Sequence, residues 1–442
     1  MESVILFIVG VLVIAAGLLL SIALHEWGHY LPAKKFGVYI PQFMIGFGPT
    51  LFSRQRGETE FGLKAIPLGG YVAMAGMYAP KKPGGAPENA STGFFEAKAS
   101  QPPAAPAMTD EELERRSFYR LPLYQRITVM LGGPLMNLVI AIVLYAVVLV
   151  GFGVPGLSLT VGSVSECVVP ASEVREECGP DDPKAPGALA GILPGDRIVA
   201  VAGERVTTWI RVTEIIRESP GQVLDLVVVR DEAEVSLRVT PLLSERYAFS
   251  DSGEILLDEN SNPIVEYVGF VGISATVENQ HQPVTEVLPA VWDNVVGVAR
   301  IIVTLPERIV DVARAAFGPE ERDPEGPLSV VGVGRIAGEI ASLDSIAIRD
   351  RVVSLIGILA SLNVALFVFN LVPLLPLDGG HVAVGLYEGA KRRLYRALGK
   401  SDPGPVNASA LIPLTLVVVV VLGGMSLLLM YADIVNPIRL FG

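Results

Sequence analysis

Residues 25–29 read His-Glu-Trp-Gly-His, at the end of an apolar run from Ser3 to Leu24 that carries no charge. On a helix, a four-residue spacing stacks two side chains on one face, about 6 Å apart along the axis. Two imidazoles so placed suit one Zn²⁺, with Glu26 between them as general base for an activated water. Ionisable groups at membrane depth cost on the order of 2.5–3.5 kcal/mol each on insertion scales, so their presence there calls for a function.

A catalytic zinc takes a third protein ligand and keeps one position open. Pro32 stands where a metzincin continuation needs Gly, and no third His follows. The next downstream acids, Glu58 and Glu60, fall in a β-like stretch. The conspicuous remaining acid is Asp378 in "NLVPLLPLDGGH" (370–381), freed from regular helix by Pro373 and Pro376 and followed by Gly379 and Gly380. His381 is a rival third ligand, and an Asp in this position can also simply cap the following helix.

These residues need elements to hold them. With 51% hydrophobic and 18% charged residues among 442, the chain is not an ordinary soluble protein. Four stretches approach or exceed the roughly 20 apolar residues of a bilayer-spanning helix: Ser3–Ala33, Arg126–Val150, Val352–Leu374 and Leu411–Tyr431. The first lacks a basic n-region and a small-residue cleavage site, so it reads as a retained helix. The organisation expected is a membrane helix over 1–36, a membrane-associated β region over 37–78 and a flexible cytoplasmic loop over 79–118. A second helix over 119–153 precedes a soluble β-rich module over 158–275. An amphipathic or linker region over 283–348 leads to a third helix over 350–390 and a fourth over 410–433. Asp293, Arg300 and Glu307 weigh against reading 284–317 as a fifth span; an amphipathic helix lying along the outer membrane surface or packing on the β-rich module is expected there.

Basic residues set the orientation. Lys34, Lys35, Arg54, Arg56, Lys64, Lys81 and Lys82 follow the first helix, and Arg115, Arg116, Arg120 and Arg126 lead into the second. Lys391, Arg392, Arg393, Arg396 and Lys400 lie between the third and fourth, whereas residues 153–349 carry 15 Lys+Arg against 31 Asp+Glu. Both termini and the acidic segment are therefore expected outside the cell membrane, and that acidity argues against nucleic acid as its partner. Cys167 and Cys178, the two cysteines of the chain, then fall in an oxidising compartment where a disulfide is plausible.

Three separated motifs, "HEWGH" (25–29), "GGPLMN" (132–137) and "NLVPLLPLDGG" (370–380), closely resemble the site-2 protease family of intramembrane zinc metalloproteases, in order across nearly the whole chain. The chain looks most like the bacterial members of regulated intramembrane proteolysis that carry a PDZ module between helices 2 and 3. The fold implied is a multi-pass α-helical membrane protein with four transmembrane helices, a membrane-associated β region and an extracytoplasmic PDZ-like β-rich domain. The resemblance implies zinc on His25, His29 and Asp378, Glu26 as catalytic base, and Asn370 holding substrate or stabilising the transition state. A structural hydrogen bond between helices is the other reading of Asn370, and the expected role of Asn363. Asn137 matches the Gly-Pro-x-x-Asn motif, a structural position near the site. "GILPGDRIVAVAGE" (191–204) resembles a PDZ core, and "VGFVGIS" (268–274) either receives a substrate C-terminus or closes the domain. One PDZ module rather than two, and the long Pro/Ala-rich loop, set the chain apart from some relatives.

By that resemblance the chain hydrolyses a peptide bond within the transmembrane segment of a single-pass regulator of the anti-sigma-factor kind, after a first cut by another protease. The active site is expected within the bilayer, toward its cytoplasmic side. The competing reading is a catalytically inactive membrane adaptor or assembly factor working through its PDZ module, which the intact Glu26 disfavours. A transporter would show inverted repeats, and none is seen.

Overall fold

The computed structural model describes residues 2–78, 88–91, 109–173, 175, 177–248, 255–258, 262–318, 322–323, 326–404, 406 and 411–438. It forms two compact units, one of Met1–Gly151 with Pro283–Gly442 and one of Phe152–Gln282.

The uncharged run and the His-Glu-x-x-His stretch form one helix, α1 (Glu2–Lys35), with Lys34 and Lys35 in its last turn facing the negative end of the dipole. It stops where Gly37 takes a left-handed φ of 82° and its N–H returns to Lys34 O at 3.1 Å. The β region follows as two long strands, β1 (Gln42–Arg56) and β2 (Thr59–Tyr78), paired antiparallel with Arg56 opposite Thr59 and Phe43 opposite Val72. Their glycines bend the strands and shift register without ending them. β3 (Glu88–Ser91) extends the sheet in the order β1-β2-β3. It lies inside the expected flexible loop; residues 79–87 and 92–108 of that loop lie outside the described residues.

α2 (Asp110–Arg115) is capped by Thr109, whose hydroxyl accepts from Glu112 N at 3.2 Å. It leads to α3 (Leu123–Ala146), which carries Pro134 within it. Ala33, Val38, Ile40 and Phe43 pack with Val72, Met74, Phe118, Val129 and Met130, so the inner half of the sheet lies on α1 and α3. The outer half of β1 is half-buried at Phe47 and exposed from Gly48 on.

The second unit runs from β4 (Val154–Val164) through a short α4 (Pro186–Leu189), β5 (Arg197–Val201), β6 (Glu204–Arg205) and α5 (Trp209–Glu218). β7 (Leu224–Arg230), β8 (Ala233–Val239), β9 (Leu242–Tyr247), β10 (Val265–Phe270) and β11 (Ile273–Gln280) complete it. The main sheet has the order β11-β4-β5-β7-β8, with β6 on β5, and β9 pairs β10. The unit is longer than the expected 158–275 because its first and last strands pair, Val154 opposite Gln280. Its core gathers Ile192, Ile198, Val201, Val212, Leu226 and Val228. Cys167 and Cys178 are joined in a disulfide.

Five helices complete the first unit: α6 (Val287–Phe317), α7 (Val330–Ser342), α8 (Ile348–Asn370), α9 (Asp378–Ala397) and α10 (Ile412–Val435). Five described helical stretches are long and apolar enough to cross a membrane, the addition to the expected four being Val284–Phe317. Asp293, Arg300 and Glu307 all sit on the exposed side of α6. Its other side packs Val291 with Ala141 of α3 and Val364 of α8, and Val312 and Ala316 with Leu429 and Ala432 of α10. α7, within the stretch expected to be a linker, packs closely on α1: a Cβ on Gly10 would stand 2.5 Å from Ala337 O. As Pro373 and Pro376 predict, the chain is not helical between α8 and α9.

In the second unit Asp196 is 1% exposed and takes a forked ion pair from Arg230, with Nε and Nη2 each at 2.7 Å, plus Leu193 N–H at 2.9 Å. The guanidinium, assisted by that backbone N–H, holds the Asp196 carboxyl below its ordinary range. A carboxyl depressed in the fold contributes stability that is complete above its unfolded pKa of about 3.9 and lost as pH falls through the folded value. Asp196→Asn should therefore destabilise the unit by about 1–3 kcal/mol near neutral pH. The gap from wild type should narrow below about pH 4, read by pulse proteolysis of the intact chain across pH.

Candidate metal centre

α1 and α3 touch backbone to backbone. A Cβ on Gly28 would lie 2.2 Å from Gly132 O, and one on Gly132 would lie 2.0 Å from Gly28 O. Only glycine at both positions allows this approach, and it buries the α1 face that carries the two histidines. His29 is fully buried, His25 is 9% exposed and Glu26 4%. His29 Nδ1–H donates to Val129 O of α3 at 2.8 Å, which leaves Nε2 with its lone pair facing inward.

Asp378 reaches the same point from the break after α8. Leu377 is the N-cap of α9 and no side chain caps that end, so Asp378 is not there as a cap. The loop folds tightly onto the helix start: a Cβ on Gly379 would meet Leu371 O at 2.3 Å, and one on Gly380 would meet Leu375 N at 2.5 Å. The Gly-Gly pair after Asp378 is thus a steric requirement of placing that carboxylate. α9 is further fixed to α3 by Arg126, whose two Nη atoms fork onto buried Glu388 at 3.1 and 2.8 Å. Sequence reading missed this pair; its one signal is an acid in a run otherwise rich in Lys and Arg.

Asp378 Oδ2 lies 3.3 Å from His25 Nε2 and 3.3 Å from His29 Nε2, and the two nitrogens are 3.2 Å apart. A four-coordinate zinc about 2.0–2.2 Å from its ligands sets them about 3.3 Å apart, the edge of a tetrahedron. The triangle has that edge on all three sides. Asp378 Oδ2 is buried and receives no hydrogen bond, as befits an atom aimed at a cation. Above the triangle there is a glycine: a Cβ on Gly133 would stand 2.2 Å from His29 Nε2 and 2.7 Å from His25 Nε2. Donor types, spacing and cleared space all fit zinc. Among the described residues this is the one group of three or more His, Cys, Asp or Glu side chains gathered closely enough to hold an ion.

The rival ligands lie elsewhere. His381 is outside the group. Glu58 is gripped by Arg116 at 2.7 and 2.7 Å and by Lys34 at 3.4 Å; the Arg116 bonds above all hold its carboxyl down at about 2. Glu60 accepts from Gln42 Nε2 at 3.1 Å. Glu26 has β2 against its stem, since a Cβ on Gly70 would be 2.9 Å from Glu26 Cγ. Asn370 ends α8 and its Nδ2–H donates to Leu366 O of its own helix at 2.9 Å. Asn363 donates to Ser21 Oγ at 2.9 Å and so links α8 to α1, the structural role expected of it. Asn137 lies closer in than its motif suggested, with Nδ2 3.1 Å from His25 Nδ1.

Comparison with known proteins places these residues in company. The model of peptidase family M50 matches residues 13–401. The zinc metalloprotease Rip1 of Mycobacterium tuberculosis is 35% identical over 99% of this chain and 100% of its own length. Rip1 of Mycolicibacterium smegmatis is 34% identical with the same coverage. The metalloprotease MmpA of Caulobacter vibrioides is 29% identical over 85% of each chain.

Gly133→Ala should place a methyl group where the cation would stand. Metal analysis of the purified protein is expected to find zinc binding weakened by about tenfold or more, with the helices still formed. Unchanged zinc content would put the cation elsewhere.

Proposed function

The chain belongs to peptidase family M50, the site-2 proteases, and is a zinc metalloprotease of the membrane; on that premise we propose that it cuts a single-pass membrane protein within its transmembrane segment. His25, His29 and Asp378 hold the zinc. The observation that carries this assignment is the triangle of 3.2–3.3 Å edges between their ligand atoms.

When bound, zinc brings the pKa of a water toward about 7 and polarises the scissile carbonyl as a Lewis acid. Glu26, next to His25 on α1, takes the proton of the attacking water and passes it to the leaving amine. Asn370 donates to the substrate carbonyl once its Nδ2 leaves Leu366 O; loss of one such donor costs about 10²–10³ in rate in other hydrolases. A scissile amide inside a helix is closed by its own hydrogen bonds. The sheet packed against Glu26 offers strand edges on which an unwound segment regains backbone partners.

The site supports a membrane arrangement with four crossings. α1 carries His29 near its Lys34–Lys35 end, and Asp378 follows the end of α8, so the two helices run the same way across the bilayer. α3 crosses back between them, and a full crossing by α6 would reverse α8 and carry Asp378 to the opposite surface. It would also turn the basic Lys391–Lys400 stretch outward, against the positive-inside rule. α1, α3, α8 and α10 therefore cross, α6 lies against them from the outer side, both termini face out, and the site opens toward the cytoplasm. The second unit is extracytoplasmic, which its acidity and the Cys167–Cys178 disulfide support. It acts as a PDZ module: β11 is the outermost strand of its sheet, and the Val271–Gly272 loop before it is tied by Gly187 N and Ser165 N. A trimmed substrate end could add to that strand, which suits a regulator of the anti-sigma-factor kind already cut once.

Glu26→Gln keeps the ligands and removes the base. Cleavage of a co-expressed single-span substrate is expected to fall by at least 10²–10⁴-fold, about the usual share of a general base, with zinc retained. Persistent cleavage at wild-type rate would sink the catalytic assignment.

A further inference from the structure

Asn137 is fully buried on α3, one turn beyond Gly133. The two histidines meet α3 differently. His29 Nδ1 faces the Val129 carbonyl at 2.8 Å, an acceptor and nothing else, so that ring carries its proton on Nδ1 and offers Nε2. His25 Nδ1 faces Asn137 Nδ2 at 3.1 Å, and an amide nitrogen is only a donor. A ring that gives Nε2 to a cation must hold its proton on Nδ1, where it needs an acceptor. At His25 a donor would then confront a donor. The acceptor that is wanted is the other atom of the same group: Asn137 Oδ1 is buried and has no hydrogen-bond partner. A half-turn of the carboxamide exchanges Oδ1 and Nδ2 within the same volume.

We propose that Asn137 is a positioning residue for the metal centre. With the cation bound, its Oδ1 accepts from His25 Nδ1–H, fixes that tautomer and points Nε2 at the metal. This does for His25 what the Val129 carbonyl does for His29. Both orienting groups come from α3, which supplies no ligand itself, so α3 serves the site by choosing which nitrogen each histidine presents. The inference rests on His25, His29 and Asp378 being the ligands.

Zinc affinity of the detergent-purified full chain, measured by competition with a chelator, separates this role from plain packing. Asn137→Leu keeps the size and removes the acceptor; it should weaken zinc by about 10–100-fold, the usual consequence of losing a partner of a liganding histidine. Asn137→Asp restores an acceptor and should bind zinc within a few-fold of wild type. A packing role predicts the reverse order, because an apolar residue suits a buried helix contact and a carboxylate does not. Thermal unfolding of the zinc-stripped proteins reports on the fold, and Asn137→Ala replaces the Leu variant if that one does not fold. Wild-type affinity in the acceptor-free variant, or equal losses with Asp and Leu, overturns the proposal. Asp378→Ala is measured alongside: a large loss there with none in the acceptor-free variant rejects the role of Asn137 alone, whereas wild-type affinity in Asp378→Ala rejects the ligand set beneath it.

Discussion

The closeness of α1 to α3 governs the rest of the centre. Two helices whose backbones meet at Gly28 and Gly132 leave no room for side chains at the crossing. Groups one turn either way are therefore positioned by that crossing. The crossing puts Val129 O beneath His29 and Asn137 beside His25, and it brings Gly133 over both Nε2 atoms. Larger residues at the crossing would move the helices apart and separate each imidazole from the group that orients it. In a bilayer, where apolar burial gives little drive for helix association, such close packing is itself a main source of cohesion.

The third proposed ligand arrives by a different physical route. Asp378 belongs to no close helix crossing; it stands at the first turn of α9, after seven residues that two prolines keep out of helix. A carboxylate at a helix start could have been satisfied by its own backbone, yet its Oδ2 accepts no hydrogen bond. What steers it inward is the folding back of the loop on Gly379 and Gly380, and the Arg126–Glu388 pair that pins α9 to α3. Because charged groups with low exposure hold that pin, its strength depends little on salt.

How much of this was legible in the sequence differs from residue to residue. His25, Glu26 and His29 announce themselves by type and spacing within five positions, because a helix converts that spacing directly into one face. Asp378 could be singled out only by eliminating Glu58 and Glu60 and by the prolines around it. The structure gives those two acids other partners, Arg116 and Gln42. The break between α8 and α9 was readable because proline acts locally. The interior of 283–348 was not. α7 owes its place to a run of small residues against Gly10 and Phe7 of α1, a pairing of elements more than 300 positions apart that no local pattern encodes. Likewise the charges of α6 read as evidence for a surface helix, while its opposite side makes specific contacts with three other helices. The role of Asn137 was out of reach for a finer reason: a motif gives the position of a carboxamide but not which of its two ends meets a neighbour.

Buried charge elsewhere in the chain gives an independent argument for what belongs between the histidines. A carboxylate withdrawn from water must find compensating charge within the fold, since leaving it uncompensated costs several kcal/mol. Asp196 has Arg230, Glu388 has Arg126 and Arg392, and Asp433 has Arg322 together with the Ser329 N–H at 2.7 Å. Asp378 is as deeply buried as these, yet the ring nitrogens of His25 and His29 are what it faces. Imidazoles serve as ligands only in their neutral form, so they bring orientation and lone pairs but no charge. On the proposed ligand set, the compensation that arginine supplies at the other three acids comes, at this one, from the divalent cation. Binding of the metal would then add to the stability of α9 packed on α1 and α3, a place the Arg126–Glu388 pair already gives it.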